Sequence, residues 1–200
     1  MQRAVPRLIL ASQSTFRAGL LAAAGVSAEA MPAHVDEAAV KATAEGMSAQ
    51  ETALLLASLK AERIARRFPD ALVIAGDQIL VCEGRWFDKP RDLDAARAQL
   101  RELRGRRHEL VTAVLCQRGE QRVWQHVARP RLVMRDFSDA FLEAYLAIEG
   151  EILTTTVGAY RVEGPGMQLF DRIEGEHTAI MGLPLLPLLQ FLRQHGVLTI

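Results

Sequence analysis

Residues 71–90 read ALVIAGDQILVCEGRWFDKP, and one acid among them lies in unusually apolar surroundings. Leu72-Val73-Ile74-Ala75 and Ile79-Leu80-Val81-Cys82 are short continuous apolar runs, the pattern of a strand covered on both faces. They carry Gly76-Asp77-Gln78 into the interior or to the lip of a cleft. A carboxylate there must be paired, hydrogen-bonded or metal-bound, because an isolated buried charge is strongly unfavourable. The Glu83-Gly84 turn folds the chain back, which lets Lys89 in Phe87-Asp88-Lys89-Pro90 return toward Asp77. An acid and a lysine at one sheet end suit an anionic ligand held together with a metal.

Three other places carry charge in an informative setting. Ser12-Gln13-Ser14 joins a strand to a helix with Ser14 as its N-cap and Arg17 in its first turn. A strand end, a serine turn, a helix N-terminus and an arginine together form an anion site. The competing reading is plain capping beside a solvated guanidinium. Asp36-Glu37 follows a short apolar segment, and by default each is a solvated loop acid. Lys60 lies four residues from both Leu56 and Ile64 on the apolar stripe of a helix, so it points inward. It then either faces an anion in a cleft or snorkels along the helix.

Several chemistries are excluded. Gly164-Pro165-Gly166 lacks a third glycine and opens no helix, and there is no GxxxxGK[ST], so neither dinucleotide fingerprint nor P-loop is present. The 5 histidines lie singly, without HExxH or paired ligand spacing, which disfavours a zinc centre. What remains is a set of carboxylates, Glu37 and Asp77, and a set of cations, Arg17, Lys60 and Lys89. Hard carboxylate oxygens suit Mg²⁺ or Mn²⁺, and cations with such a metal suit a polyphosphate. Phosphoryl transfer to water needs charge neutralisation, a positioned water and a base, and this inventory supplies each.

These residues need a scaffold. Residues 7–11 predict a first strand, and a helix runs from Ser14 through Ala24 to stop at Gly25. A strand-like stretch reaches Val35, and a small-residue loop extends from Asp36-Glu37 to Gly46. Ser48-Ala49-Gln50-Glu51 is a capping box that starts a helix running to about Phe68, before Pro69. Asp92 caps a helix with Leu93, Ala96, Leu100 and Leu103 inward, ended by Gly105. Residues 109–117 and 121–135 predict a β-hairpin around Arg118-Gly119-Glu120, with Pro130 at an edge or bulge. Ser138 starts a helix, residues 154–162 read as strand, and a second hydrophobic strand leads through Ile173-Glu174-Gly175. The last helix runs from Pro184 to His195, with Gly196 beyond its end. Alternating strands and helices interrupted by a hairpin predict a mixed α/β sheet.

The totals fit this. Two hundred residues, half of them hydrophobic, suit one domain or one two-lobed unit. Lysine plus arginine equals aspartate plus glutamate at 24 each, so no basic excess argues for a nucleic-acid partner. Cys82 and Cys116 form neither a CxxC pair nor a secreted disulfide framework, which favours a reducing compartment. Leu8-Ile9-Leu10-Ala11 is too short for a signal-peptide core and no segment approaches a membrane span, so a cytoplasmic protein without a membrane partner is expected.

In order along the chain, Leu8-Ile9-Leu10-Ala11-Ser12-Gln13-Ser14-Thr15-Phe16-Arg17, Asp36-Glu37, Leu56-Ala57-Ser58-Leu59-Lys60-Ala61, Gly76-Asp77-Gln78, Lys89-Pro90, Gly158-Ala159-Tyr160 and Gly182-Leu183-Pro184 resemble the Maf family of nucleoside triphosphate pyrophosphatases. The resemblance implies an elongated two-lobed α/β fold around a mixed sheet flanked by helices, related to inosine triphosphate pyrophosphatases of the Maf/Ham1 type. The whole chain would be one such domain with its cleft between two lobes, often dimeric. It further implies hydrolysis of a nucleoside triphosphate to the monophosphate and pyrophosphate with a divalent cation. Position by position, Asp77 matches the proton acceptor, while Ser12, Ser14, Arg17, Glu37, Lys60 and Lys89 match the polar cleft, with Glu37 and Asp77 as metal ligands.

Two motifs depart from the family pattern. The usual Ser-Pro-Arg-Arg is Ser14-Thr15-Phe16-Arg17, and the usual Asp-Thr is Asp77-Gln78. Both resemble the branch acting on 7-methyl-GTP, as does Glu163 in place of the glutamine of the dTTP/UTP branch. Phe16 could stack on a base, and a carboxylate at 163 could face a methylated, cationic guanine. Alternatively Phe16 packs α-helix against sheet and Glu163 is simply exposed. A dTTP/UTP pyrophosphatase, or a nucleotide-binding regulator of septum formation and cell division without turnover, are the competing functions. The complete acid and lysine set argues against the regulator.

Overall fold

The computed structural model describes residues 2–4 and 6–199. In chain order its elements are β1 (Leu8–Leu10), α1 (Thr15–Ala23), β2 (Glu29–Ala30), α2 (Glu37–Thr43), α3 (Ala49–Ala65), β3 (Leu72–Cys82), β4 (Arg85–Phe87) and α4 (Leu93–Leu103). There follow β5 (Arg107–Arg118), β6 (Gln121–Ala128), β7 (Arg131–Met134), α5 (Asp139–Glu149), two 3-10 segments (Gly150–Thr155 and Pro165–Leu169), β8 (Phe170–Glu174), α6 (His177–Ile180) and α7 (Leu185–Gln194). This is the mixed α/β sheet flanked by helices that the sequence predicts. The chain divides into two compact units.

The first unit comprises residues up to Asp77, Thr112–Ala128 and the stretch from Gly182 onward. Its strands run in the order β2-β1-β3-β5, with β6 along β5. β1 is parallel to both neighbours, and Leu8, Ile9 and Leu10 stand opposite Leu72, Val73 and Ile74 of β3. α3 covers this sheet with an alanine face: Ala53, Ala57, Ala61 and Ala65, four residues apart, are all fully buried. Ala57, Ala61 and Ile64 pack with Ile9, Val73 and Ala75 in one core. Small side chains on this stripe bring the helix backbone close to β3, which determines how far Lys60 must reach. The capping box starts α3 as expected, with the Ser48 and Glu51 side chains reciprocally bonded to each other's backbone.

The second unit comprises Gln78–Val111 and Arg129–Met181. β4 returns antiparallel along the second half of β3, with Leu80 opposite Phe87, through the Glu83-Gly84 turn expected from the sequence. Both turn residues hold positive φ, 51° and 79°, as a two-residue hairpin loop of this kind requires. β7 lies antiparallel to both the first half of β5 and β8. Leu100, Leu103, Leu110, Leu132, Leu142 and Leu146 form the centre of its core.

Three local expectations are corrected. The loop foreseen from Asp36 to Gly46 contains α2: Asp36 Oδ1 accepts from the Ala39 amide at 3.0 Å and caps an alanine-rich turn. α2 has no buried residue, so no apolar stripe announced it. Residues 154–162 are not a strand. The Thr154, Thr155 and Thr156 hydroxyls donate to carbonyls three residues back at 2.8, 2.6 and 3.2 Å, diverting a β-branched run into a 3-10 turn. The long strand expected over 121–135 is two strands separated at Pro130, which has no amide to give to a ladder. Gly76-Asp77-Gln78 is carried into the interior as expected, within a β3 that runs unbroken.

Candidate active site

Asp77 is carried on β3 and only 4% exposed. One helix away, Lys60 of α3 is also buried, and its Nζ donates to Asp77 Oδ1 at 2.5 Å. The same ammonium meets Glu37 Oε1 at 2.6 Å. Glu37 opens α2 and is half exposed, so the three charges run from the interior toward solvent. The snorkelling alternative for Lys60 is thereby excluded. Burial raises the Asp77 pKa above the usual carboxylate range; the Lys60 and Arg17 charges pull it back, and the Glu37 charge pushes it up again. A carboxylate whose pKa is raised is a better proton acceptor when ionised than a solvated one.

The serine turn lies in the same unit and is built around Arg17. Ser14 Oγ accepts from the Arg17 amide at 3.3 Å, the expected N-cap of α1. Ser12, itself buried, accepts at Oγ from the Ser14 amide at 3.1 Å and from Arg17 Nη1 at 3.3 Å. Arg17 Nε donates to the Gly182 carbonyl at 2.7 Å. The guanidinium is therefore held on two sides rather than solvated. Burial lowers its pKa, while Asp77 and Glu37 raise it. Gly76 is demanded by the close approach of the chain at Ala113: a Cβ there would lie 2.9 Å from the Ala113 carbonyl oxygen, whereas its 3.7 Å to Arg17 Nε would be ordinary contact. Gly182, with φ 101°, gives the carbonyl that orients Arg17. Only the resemblance had singled it out, since no side chain marks a backbone acceptor.

The structure thus brings together Ser12, Ser14, Arg17, Glu37, Lys60 and Asp77. Phe16 is half-buried on α1 beside Arg17. Gln78, Lys89 and Glu163 belong to the second unit. There Gln78 Nε2 donates to the Ala179 and Ile180 carbonyls at 2.9 and 3.1 Å, tying β3 to α6. Lys89 is exposed just past β4. Glu163 lies 3.9 Å from Arg161, whose guanidinium forks onto the buried Glu149 carboxylate at 2.6 and 3.2 Å. Arg161 and Glu149 escaped sequence reasoning, because a helix-end acid and a loop arginine 12 residues apart carry no joint pattern.

Among the described residues no group of three or more His, Cys, Asp and Glu side chains is poised for a metal. Glu37 and Asp77 nevertheless converge on a single cation, the Lys60 ammonium. Mg²⁺ is commonly held by one or two carboxylates, with waters and substrate phosphates completing its shell. Two converging carboxylates therefore fit such an ion, with the rest of its ligands supplied by substrate and water.

Residues 7–195 match the family model described as Maf-like protein. A protein of Granulibacter bethesdensis named nucleoside triphosphate pyrophosphatase is 60% identical over 97% of this chain and 100% of its own length. One of Rhodospirillum rubrum with the same name is 52% identical over 99% of each chain. One of Rhizobium meliloti named 7-methyl-GTP pyrophosphatase is 47% identical, over 96% of this chain and 98% of its own.

Proposed function

The chain belongs to the Maf family, and from that premise we propose that it is a nucleoside triphosphate pyrophosphatase, cleaving a nucleotide to its monophosphate and pyrophosphate. The observation that carries the reading is the buried Asp77, its pKa raised, paired with Lys60 at 2.5 Å and neighboured by Glu37 and Arg17. A base that is buried yet surrounded by cations is what hydrolysis of a polyanion needs. The names of the relatives point to the same activity.

In this reading the attacking water passes a proton to the ionised Asp77 as the anhydride bond breaks and pyrophosphate leaves. Arg17, locked by Ser12 and the Gly182 carbonyl, offers its remaining N–H groups to phosphate oxygens without needing to reorganise. Lys60 compensates charge and opposes the rise that burial imposes on the Asp77 pKa. Lys89 adds a further cation for the polyphosphate. A divalent cation, Mg²⁺ or Mn²⁺, held by Glu37 and Asp77 would supply additional charge neutralisation on the phosphates. Pyrophosphate release from a panel of nucleoside triphosphates, with the products identified, tests the reading. Tight nucleotide binding without release would favour the regulator instead.

The substrate we propose is a modified nucleotide, 7-methyl-GTP, with Phe16, Gln78 and Glu163 setting the preference. Support comes from those three departures from the dTTP/UTP pattern and from the name of the Rhizobium meliloti relative. The family resemblance implies a homodimer, which light scattering would test, and the two unpaired core cysteines favour a reducing, cytoplasmic compartment. No described helix is long and apolar enough to cross a membrane.

A further inference from the structure

α3 grips the segment 34–37 at two points one turn apart. At one, Lys60 Nζ meets the Glu37 carboxylate at 2.6 Å; at the other, Arg63 Nη1 donates to the His34 carbonyl at 2.9 Å. Residues three apart share a helix face, so the two cations are spaced to hold both ends of this short segment. Between those points Val35 is half-buried and packs against the core that includes Ala57, Ala61 and Ile64 of α3. Val35 and Asp36 form one wall of a cavity of about 620 Å³, and Leu59, Glu62 and Arg63 belong to its lining as well.

Beyond Glu37 the apolar anchoring is slight: α2 has no buried residue, and the next buried one is Ala44 at its C-cap. The backbone at the Arg63 contact is itself unusual: His34 holds φ 49°, a left-handed conformation that a residue with a side chain adopts at some cost. A second brace meets the same residue, since Gln13 Nε2 lies 3.2 Å from His34 Nδ1. Gln13 sits between Ser12 and Ser14, so His34 links the serine turn to the segment that delivers Glu37.

We propose that Arg63 is a positioning residue: through the His34 carbonyl it holds segment 34–37 in the left-handed turn that places Glu37 on Lys60. The inference rests on the pyrophosphatase reading above. Arg63 touches neither Asp77 nor the substrate-facing groups, and its effect on turnover runs entirely through Glu37.

A double-mutant cycle tests this with Arg63→Ala, Glu37→Ala and the pair, following pyrophosphate release. Arg63→Ala lowers kcat/KM about 10-fold in the parent, the equivalent of ~1.4 kcal/mol, and less than about 2-fold in the Glu37→Ala background. Arg63→Lys recovers most of the loss, because an ammonium can donate to the same carbonyl. Independently of turnover, amide hydrogen exchange in residues 37–43 quickens in Arg63→Ala while that of α3 does not. Equal losses in both backgrounds, or exchange in residues 37–43 that does not change, would overturn the inference and leave the pyrophosphatase reading standing. A parent that releases no pyrophosphate from any nucleotide would remove both.

Discussion

Lys60 Nζ lies 2.5 Å from Asp77 Oδ1, and the two side chains are 10% and 6% exposed. The pair is buried yet asymmetric: the same ammonium is shared with the half-exposed Glu37, while the pKa of Asp77 is raised by burial. An ion pair of this kind is poor evidence of stability. The Lys60 charge opposes the rise that burial imposes on the Asp77 pKa.

Asp77→Asn conserves shape but removes the proton acceptor. Turnover falls ~10²-fold or more, as for loss of a general base, with the melting temperature little changed, since Glu37 still meets Lys60. Turnover above roughly one tenth of the parent would remove Asp77 from the role of general base.

Lys60→Gln moves the acid limb of kcat/KM to higher pH. The Lys60 charge lowers the Asp77 pKa against the effect of burial, so its removal lets that pKa rise further. Activity requires the ionised form and is lost as pH falls through a higher value than in the parent. A pH profile whose acid limb stays in place would show that Lys60 does not tune Asp77.

Chelation with EDTA abolishes turnover and Mg²⁺ or Mn²⁺ restores it, while Glu37→Gln raises the metal concentration needed for half-maximal activity. Only the loss of a ligand carboxylate gives that last effect. Titration of activity against metal checks it.

Substrate preference is expected to follow Phe16 and Glu163. Methylation at N7 makes guanine cationic, and an aromatic face then gains about 0.5–2 kcal/mol, roughly up to tenfold or more in discrimination. Phe16→Leu and Glu163→Gln each lower the ratio of kcat/KM for 7-methyl-GTP over dTTP. A parent that prefers dTTP or UTP would overturn the substrate assignment alone.

His108 sets the acid sensitivity of the second unit. It is 2% exposed; its Nε2 lies 2.9 Å from the Tyr160 hydroxyl, Nδ1 has no hydrogen-bond partner among the described residues, and burial lowers its pKa to about 4. The unfolded chain, with an ordinary histidine, binds more protons between about pH 6.5 and 4. Stability is therefore whole above that window and lost as pH falls through it, by on the order of 3 kcal/mol. Thermal unfolding of His108→Phe should show a flatter dependence over this range.

Much of the scaffold was legible because caps and stripes are local. Ser14, Ser48, Asp92 and Ser138 each accept the backbone N–H three residues on, as their types and positions suggested. Asp77 was found by the apolarity of its own neighbours, and Lys60 by its place on a buried stripe. Their pairing across 17 residues, and the double duty of Lys60 toward Glu37, depend on how closely an alanine-faced helix approaches the sheet. α2 was missed for the opposite reason: it buries nothing, so it leaves no periodic trace.

The unbroken run of β3 through Asp77 has a bearing on which changes of length this lineage can accept. Successive strand side chains alternate between faces, so one residue inserted between Leu72 and Asp77, with the β1 register kept, would turn the acid away from Lys60. Two inserted residues would restore the face but carry the acid a full repeat further along the strand. Insertions and deletions are thus barred from these few positions by geometry, whatever residues they add, while the exposed turn around Gly46 can lengthen freely. Related chains of different lengths are expected to differ there and never between Leu72 and Asp77.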